Sequence, residues 1–261
     1  MTFIDPFATP MTTILPAQFT WKSIPGWMNY TELYDYIADR LNCLAPHPAV
    51  AIEVGAWFGQ STAYMASKLK SLNASHVQFF AVDTWEGTPS ELQHQAVVQR
   101  YGGSIFTAFQ EAMKCCKVND WVVPLKTTSV EAAKYFDDTS IDFVFIDADH
   151  AYEAVVADIR AWLPKIKRGG CIAGHDLDWD GVKKAVEQEL SGRYRQWGAC
   201  WIVHVLTALE RVDLPVSSRE PGQAPALHAA EVTHDELSVR VRGREDLPQV
   251  LPSTSLLYEL T

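Results

Sequence analysis

One stretch, residues 51–62 (AIEVGAWFGQST), constrains this chain more than any other. Ala51, Ile52 and Val54 are short and apolar, the composition of a strand covered on both faces of a parallel sheet. Gly55 and Gly59 follow, four residues apart, where a tight turn lets backbone come close to a ligand. Ser61 and Thr62 then open a helix whose free N–H groups suit a carboxylate or phosphate. A strand, an acid (Glu53), a glycine turn and a hydroxyl-rich helix start read as a nucleotide-type cofactor loop.

The rest of the sequence repeats the alternation that this loop begins. The segments at 50–54, 77–83 (VQFFAVD), 121–126 (WVVPLK), 141–147 (IDFVFID), 171–176 (CIAGHD) and 199–205 (ACWIVHV) read as strands. Helices are predicted over 30–44, 61–72, 105–116, 130–136, 152–166 and 181–190, with Gly169 and Gly170 as a helix stop. Lys165, Lys167 and Arg168 read as cations closing that helix, where they offset its dipole. This order predicts an α/β fold: a doubly wound, mostly parallel Rossmann-like sheet with helices on both faces. Its ligand should lie across the carboxyl ends of the strands. A polar stretch from Thr84 to about Gly103, with Trp85, Glu86, His94 and Tyr101, interrupts the pattern. The predicted division is an N-terminal arm over 1–29, a cofactor-binding domain over 30–206 and a partly ordered C-terminal extension over 207–261. In that extension only ELSVRVRG alternates like a strand.

Bulk properties exclude several function classes. A net charge of −10 and a pI near 5.2 argue against a nucleic-acid partner, which needs clustered Lys and Arg. The five cysteines, Cys43, Cys115, Cys116, Cys171 and Cys200, are odd in number and lack CxxC spacing. They read as reduced thiols rather than disulfides or a zinc site. No apolar run reaches membrane-spanning length, and the first residues make a poor signal peptide. The expected protein is cytoplasmic, without a membrane partner. An arm at each end favours a homodimer.

The loop itself discriminates between cofactors. A dinucleotide fingerprint needs glycine two residues after the first; here Trp57 stands there, and its bulk forbids close pyrophosphate approach. A P-loop lysine is absent. Asp83, ending the second strand, is placed to grip a ribose diol. A loop without a phosphate cradle, paired with a diol-binding acid, suits S-adenosylmethionine, whose amino-acid end would use Glu53 and the Ser61 region.

EVGAWFGQS, FFAVDTW, the long FIDADHAYEAVVADIRAWLPKIKRGGCIAGHD and the late CWIVHV lie in order over roughly residues 50–205. Together they resemble the class I S-adenosylmethionine-dependent methyltransferases. The branch they resemble includes cephalosporin-hydroxylase-like proteins and macrolide-sugar O-methyltransferases, with kinship to the metal-dependent caffeoyl-CoA and catechol O-methyltransferases. The resemblance implies that Glu53, Gly55, Gly59 and Ser61 line the methionine side, that Asp83 takes the ribose hydroxyls and that Ser129 sits near the adenine. The acceptor it implies is a small molecule, such as a sugar, polyketide or other secondary metabolite.

The fourth strand runs into Asp147, Ala148, Asp149 and His150, and the fifth into His175 and Asp176. Neighbouring parallel strands bring Asp147, His175 and Asp176 to one rim, where two carboxylates repel unless a cation or proton intervenes. A divalent metal would resolve this and leave sites for substrate oxygens. Magnesium is the expected ion, with manganese or zinc as alternatives. Caffeoyl-CoA-type relatives carry Asp-Asn on the fifth strand and macrolide-sugar relatives Glu-Asp. Here His-Asp stands instead, and imidazole suits zinc, iron or nickel better than magnesium. The rival reading is that His175 binds no metal and Asp176 orients substrate or caps a loop. His150 is the expected general base, with Asp147 also in the catalytic set, because the resembling sugar methyltransferases use a histidine three residues after the metal aspartate; the rival role is to cap the next helix. Asp149 reads as a cap, and His94 more as a solvated residue than as a substrate contact. Trp57, Trp85 and Trp179 are placed to wall a pocket, and Trp162 to sit in the core. The expected reaction is metal-assisted O-methylation. A metal-independent methyltransferase, a hydroxylase-like non-methylating enzyme and a non-catalytic cofactor-binding partner stay open.

Overall fold

A computed structural model describes residues 19–89 and 91–205. The predicted C-terminal extension, with ELSVRVRG, and the first part of the arm lie outside these residues. Six of the predicted strands appear, as β1 (Ala49–Val54), β2 (Val77–Asp83), β3 (Val123–Lys126), β4 (Ile141–Ile146), β5 (Ile166–Gly174) and β7 (Cys200–His204); a short β6 (Arg195–Trp197) joins them. The seven-stranded sheet has the order β3-β2-β1-β4-β5-β7-β6. Strands β1 to β5 pair in parallel, whereas β7 runs antiparallel to both β5 and β6. The mostly parallel, doubly wound fold is therefore as expected.

Period-2 alternation places the core. Val50, Ile52 and Val54 face one side with Val144, Ile146 and Ile172, under α5 (Ser129–Ala133), α6 (Tyr152–Trp162) and α7 (Asp180–Leu190). Ala49 and Ala51 face the other side with Phe79, Phe143 and Phe145, under α1 (Thr31–Asn42), α2 (Gln60–Ser71) and α4 (Phe106–Cys115). Covered on both faces, β1 is buried at every position, which is why it reads as a nearly continuous apolar run. Glu53 sits on the α1–α2 side by the same alternation. Trp162 is fully buried, as expected.

Two expectations fail for local reasons. The helix predicted over 152–166 ends at Trp162, where a 3-10 turn over Leu163–Lys165 with Pro164 inside it takes over, and β5 already starts at Ile166. Lys167 and Arg168 thus belong to a strand, and Lys167 pairs with Asp142 at 2.8 Å. Gly169 and Gly170 do not stop a helix. They lie where the β4–β5 register shifts between the Ile141–Ile166 and Phe143–Cys171 pairs. The polar stretch, moreover, is not plain loop: α3 (Leu92–Arg100) occupies it, burying only Val97 and Val98. Two apolar contacts in nine residues are too few to show as a helical face.

Candidate active site

The carboxyl ends of β1, β2, β4 and β5 open into a cavity of about 900 Å³, within the range of small-molecule and cofactor sites. The residues closing the arm form part of its wall: Trp27, Asn29 and Tyr30 line it. Gln60 holds them there, accepting from the Met28 N–H at 3.0 Å and donating to the Ile24 carbonyl at 2.8 Å. Residues on both sides of the predicted boundary at residue 29 thus line the cavity.

The glycine loop is where the sequence placed it, but its glycines answer to protein contacts. Gly55 has φ +94°, and a Cβ there would come 1.8 Å from the Asp147 carbonyl oxygen, so β1 and β4 can approach only with glycine at this point. Gly59, with φ +91°, would drive a Cβ to 2.5 Å from Met113 Cε, and it is absent from the cavity wall. Glu53 is also outside the wall, at 1% exposure. Its carboxylate accepts from the Tyr34 hydroxyl at 2.8 Å and from Thr62 Oγ1, and burial raises its pKa to about 7. Glu53 braces α1 and α2 beneath the loop. Ser61 and Gly55 do line the cavity.

Asp83 lines it too, and carries a structural duty. Its two oxygens accept from the backbone N–H of Trp57, at 2.8 Å, and of Trp85, at 2.6 Å. Both tryptophans have positive φ, 49° and 54°, a conformation that is costly for bulky residues and needs such an anchor. Burial raises the Asp83 pKa, and these N–H donors oppose the rise. Trp85 itself is fully buried on Phe106 and Phe109, so of the three tryptophans expected at the rim only Trp57 and Trp179 line the cavity. Ser129 is on the wall beside Asp158, which is 5% exposed. Ser129 Oγ accepts from Trp162 Nε1 at 2.9 Å, and burial lifts Asp158 to about 6 against the Ser129 hydrogen bond.

The predicted chemical cluster assembles as one chain of polar contacts. Asp147, His175 and Asp176 each offer a ligand atom, all within 4.8 Å of one another. His175 Nδ1 lies 3.1 Å from Asp176 Oδ2 and 3.7 Å from Asp147 Oδ1, while Nε2 meets Asn29 Oδ1 at 2.8 Å. The Tyr30 hydroxyl donates to Asp147 Oδ2 at 2.8 Å. His150 bridges two carboxylates: Nε2 to Asp176 Oδ2 at 2.9 Å and Nδ1 to Glu91 Oε1 at 2.8 Å. Burial disfavours the charged form of both histidines. For His150, Asp176 and then Glu91 outweigh it and lift the pKa to about 9; for His175, Asp147 and Asp176 lift it to about 10. Burial likewise opposes the Asp176 charge, but the two histidines hold its carboxyl well below the usual range. Asp176 has φ +56°, a left-handed conformation at the end of β5 of the kind found at functional sites.

Two alternatives weighed on the sequence are resolved by these contacts. His150 does not cap α6, since both its ring nitrogens meet carboxylates; at the N-cap residue Ala151 it is Asp149 that accepts from the backbone N–H, at 2.8 Å. His94 is not a solvated histidine. Its ring packs on Trp57 at 4.6 Å and Trp27 at 5.7 Å, and Nε2 meets Glu91 Oε2 at 3.1 Å. Glu91, Tyr30, Asn29, Trp27 and Asp158 were not legible as site residues. None carries a motif, and each reaches the cavity through tertiary packing of the arm, α3 or α6.

Residues 52–177 match the model of a methyltransferase-domain family. The chain is 24% identical over 140 residues, 51% of its length, to the uncharacterized protein y4gI of Sinorhizobium fredii, and spans only 14% of that relative. In three dimensions it is similar to the O-methyltransferase NovP, with a TM-score of 0.53 at 15% identity over 68% of this chain and 79% of that one. An O-methyltransferase-like structure from Klebsiella pneumoniae, described as putative, aligns at a TM-score of 0.49 and 15% identity over 75% and 94% of the two chains. Strand order and the antiparallel β7 give the described residues the fold of the class I S-adenosylmethionine-dependent methyltransferases, and residues 52–177 within it match the methyltransferase-domain model.

Proposed function

We propose that this protein transfers a methyl group from S-adenosylmethionine to a hydroxyl of a small molecule, with a divalent cation at Asp147, His175 and Asp176. The observation that carries the reading is the meeting of that N/O cluster with His150 on the wall of one cavity, at the carboxyl ends of β4 and β5. Gly55, Ser61 and Asp83 would hold the donor's methionine and ribose parts, and Ser129 with Asp158 its adenine end. The donor supplies an electrophilic methyl on a sulfonium. A bound cation would supply Lewis acidity, lowering the pKa of an acceptor hydroxyl.

The donor set fits such a cation: two carboxylates and one imidazole within ligand reach, with one side of the cluster facing the cavity. His175 must shed its proton to serve as ligand, so binding would release one. The chain's own residues then do three things. Glu91 fixes the His150 ring through Nδ1, which orients Nε2 towards the cluster. His150 would first release its Nε2 proton to solvent, when Asp176 is engaged by the cation, and the neutral ring would then take the acceptor's proton at that nitrogen. The cavity walls hold the acceptor oxygen in line with the methyl carbon.

A second reading has its own observation. His175 Nδ1 already lies between Asp147 and Asp176, and His150 Nε2 also meets Asp176, so two imidazolium charges offset the two carboxylates without a metal. Transfer would then be metal-independent. Turnover of an acceptor panel in EDTA and in magnesium, manganese or zinc separates the two. Activity that survives chelation unchanged removes the metal from the reaction.

A further inference from the structure

The mouth of the cavity specifies the charge of the acceptor. Trp27 is 57% exposed and Trp179 is 50% exposed, and both line the cavity. Each is fixed from behind by a packed ring: Trp27 by His94 at 5.7 Å, Trp179 by His150 at 4.5 Å. These are two pre-positioned flat apolar faces. The described wall of the whole cavity carries seven carboxylates, Glu91, Asp147, Asp149 and Asp176 among them, and no lysine or arginine. Lys126, outside the wall, answers Glu86 alone at 3.3 Å. With His175 neutral as a ligand and burial holding His94 uncharged, a charged His150, a divalent cation and the donor's sulfonium would give four positive charges against the six carboxylates that Lys126 leaves, so the field stays negative.

We propose that the acceptor is a neutral or cationic ring compound, and that acceptors bearing a carboxylate, phosphate or nucleotide are rejected. A phosphate would bring up to two further negative charges into this field, whereas an ammonium group gains from it and from the tryptophan faces. Neutral rings use the same faces for apolar contact. This rests on the methyl-transfer reading, which places the acceptor at this mouth.

The test loads the full chain with S-adenosylhomocysteine, confirmed by calorimetry, and titrates three probes of one ring size. Phenethylamine, 2-phenylethanol and phenyl phosphate are followed by ligand-observed NMR at fixed ionic strength, with and without magnesium. The amine and the alcohol are expected to bind at least about tenfold more tightly than the phosphate, with a gap that narrows as salt screens the field. Trp27→Ala and Trp179→Ala should weaken the amine and leave homocysteine-product affinity unchanged. Equal or tighter phosphate binding in magnesium overturns the proposal, as does no saturable binding of any probe up to its solubility. Failure of the product to bind defeats the methyl-transfer reading instead.

Discussion

His150 Nε2 stands 2.9 Å from Asp176 Oδ2, and this contact joins the proposed base to the proposed metal site. A histidine trapped between Asp176 and Glu91 keeps its proton near neutral pH, because its pKa is lifted to about 9. The same contact allows a cation on Asp176 to release the ring. His150→Ala is expected to lower turnover about 10²–10⁴-fold, with S-adenosylmethionine affinity within about twofold by calorimetry. An equal loss in both quantities would make the residue structural.

The pH dependence of stability follows from His150 and His175, whose folded pKa values of about 9 and about 10 lie above the ordinary 6.5. A raised histidine stabilises fully below its unfolded pKa and stops doing so as pH rises through the folded one. The protein in EDTA should therefore melt at falling temperature between pH 6.5 and about 10. Added zinc or magnesium should raise the melting temperature more at pH 8 than at pH 6, since cation and proton compete for His175. Thermal melts across pH, with and without metal, read both effects.

Glu53 contributes a second, separate window. Its folded pKa of about 7 exceeds the ordinary 4.5, so ionising it in the buried state costs stability progressively as pH rises from 4.5 through 7. Glu53→Gln should remove this slope and gain up to about 3 kcal/mol at pH 8. Urea titrations at pH 5 and pH 8 check it; a variant that loses stability equally at both values contradicts the assignment.

Gly55→Ala places a methyl group 1.8 Å from the Asp147 carbonyl oxygen, at a φ of +94°. Backbone meets backbone, so no rotamer relieves the clash. A loss of at least about 3 kcal/mol is expected by denaturant unfolding. A near-neutral result would mean that the β1 and β4 exits are further apart than described.

Asp158 offers a test of which end of the cavity takes the purine. A carboxylate accepts from the exocyclic amine of adenine but repels the carbonyl of hypoxanthine. Asp158→Asn should narrow the preference for S-adenosylhomocysteine over its inosine counterpart about tenfold or more in binding assays. An unchanged ratio places the purine elsewhere.

Much of this was legible in the sequence where local pattern and chemistry coincide. Residues 49–54 give an apolar run broken only by Glu53 because β1 is covered on both faces, and Asp147, His175 and Asp176 converge because adjacent parallel strands end together. The two glycines also have packing causes that sequence alone could not show: Gly55 answers to the Asp147 carbonyl and Gly59 to Met113 and Phe109. Glu53 looked like a ligand contact because sequence order puts it before the loop, but strand alternation turns its side chain under α1 and α2. What stayed hidden depends on packing between distant segments. Asn29 meets His175 across 146 residues, and Glu91 meets His150 across 59. No local periodicity encodes either contact.

The proposed function requires this cavity to seat S-adenosylmethionine. Isothermal calorimetry of the purified chain with S-adenosylmethionine and S-adenosylhomocysteine tests it directly, alongside Asp83→Ala. One saturable site is expected for each ligand, with at least about tenfold weaker binding in the variant, which loses the carboxylate proposed to hold the ribose. The absence of binding for both ligands would contradict it.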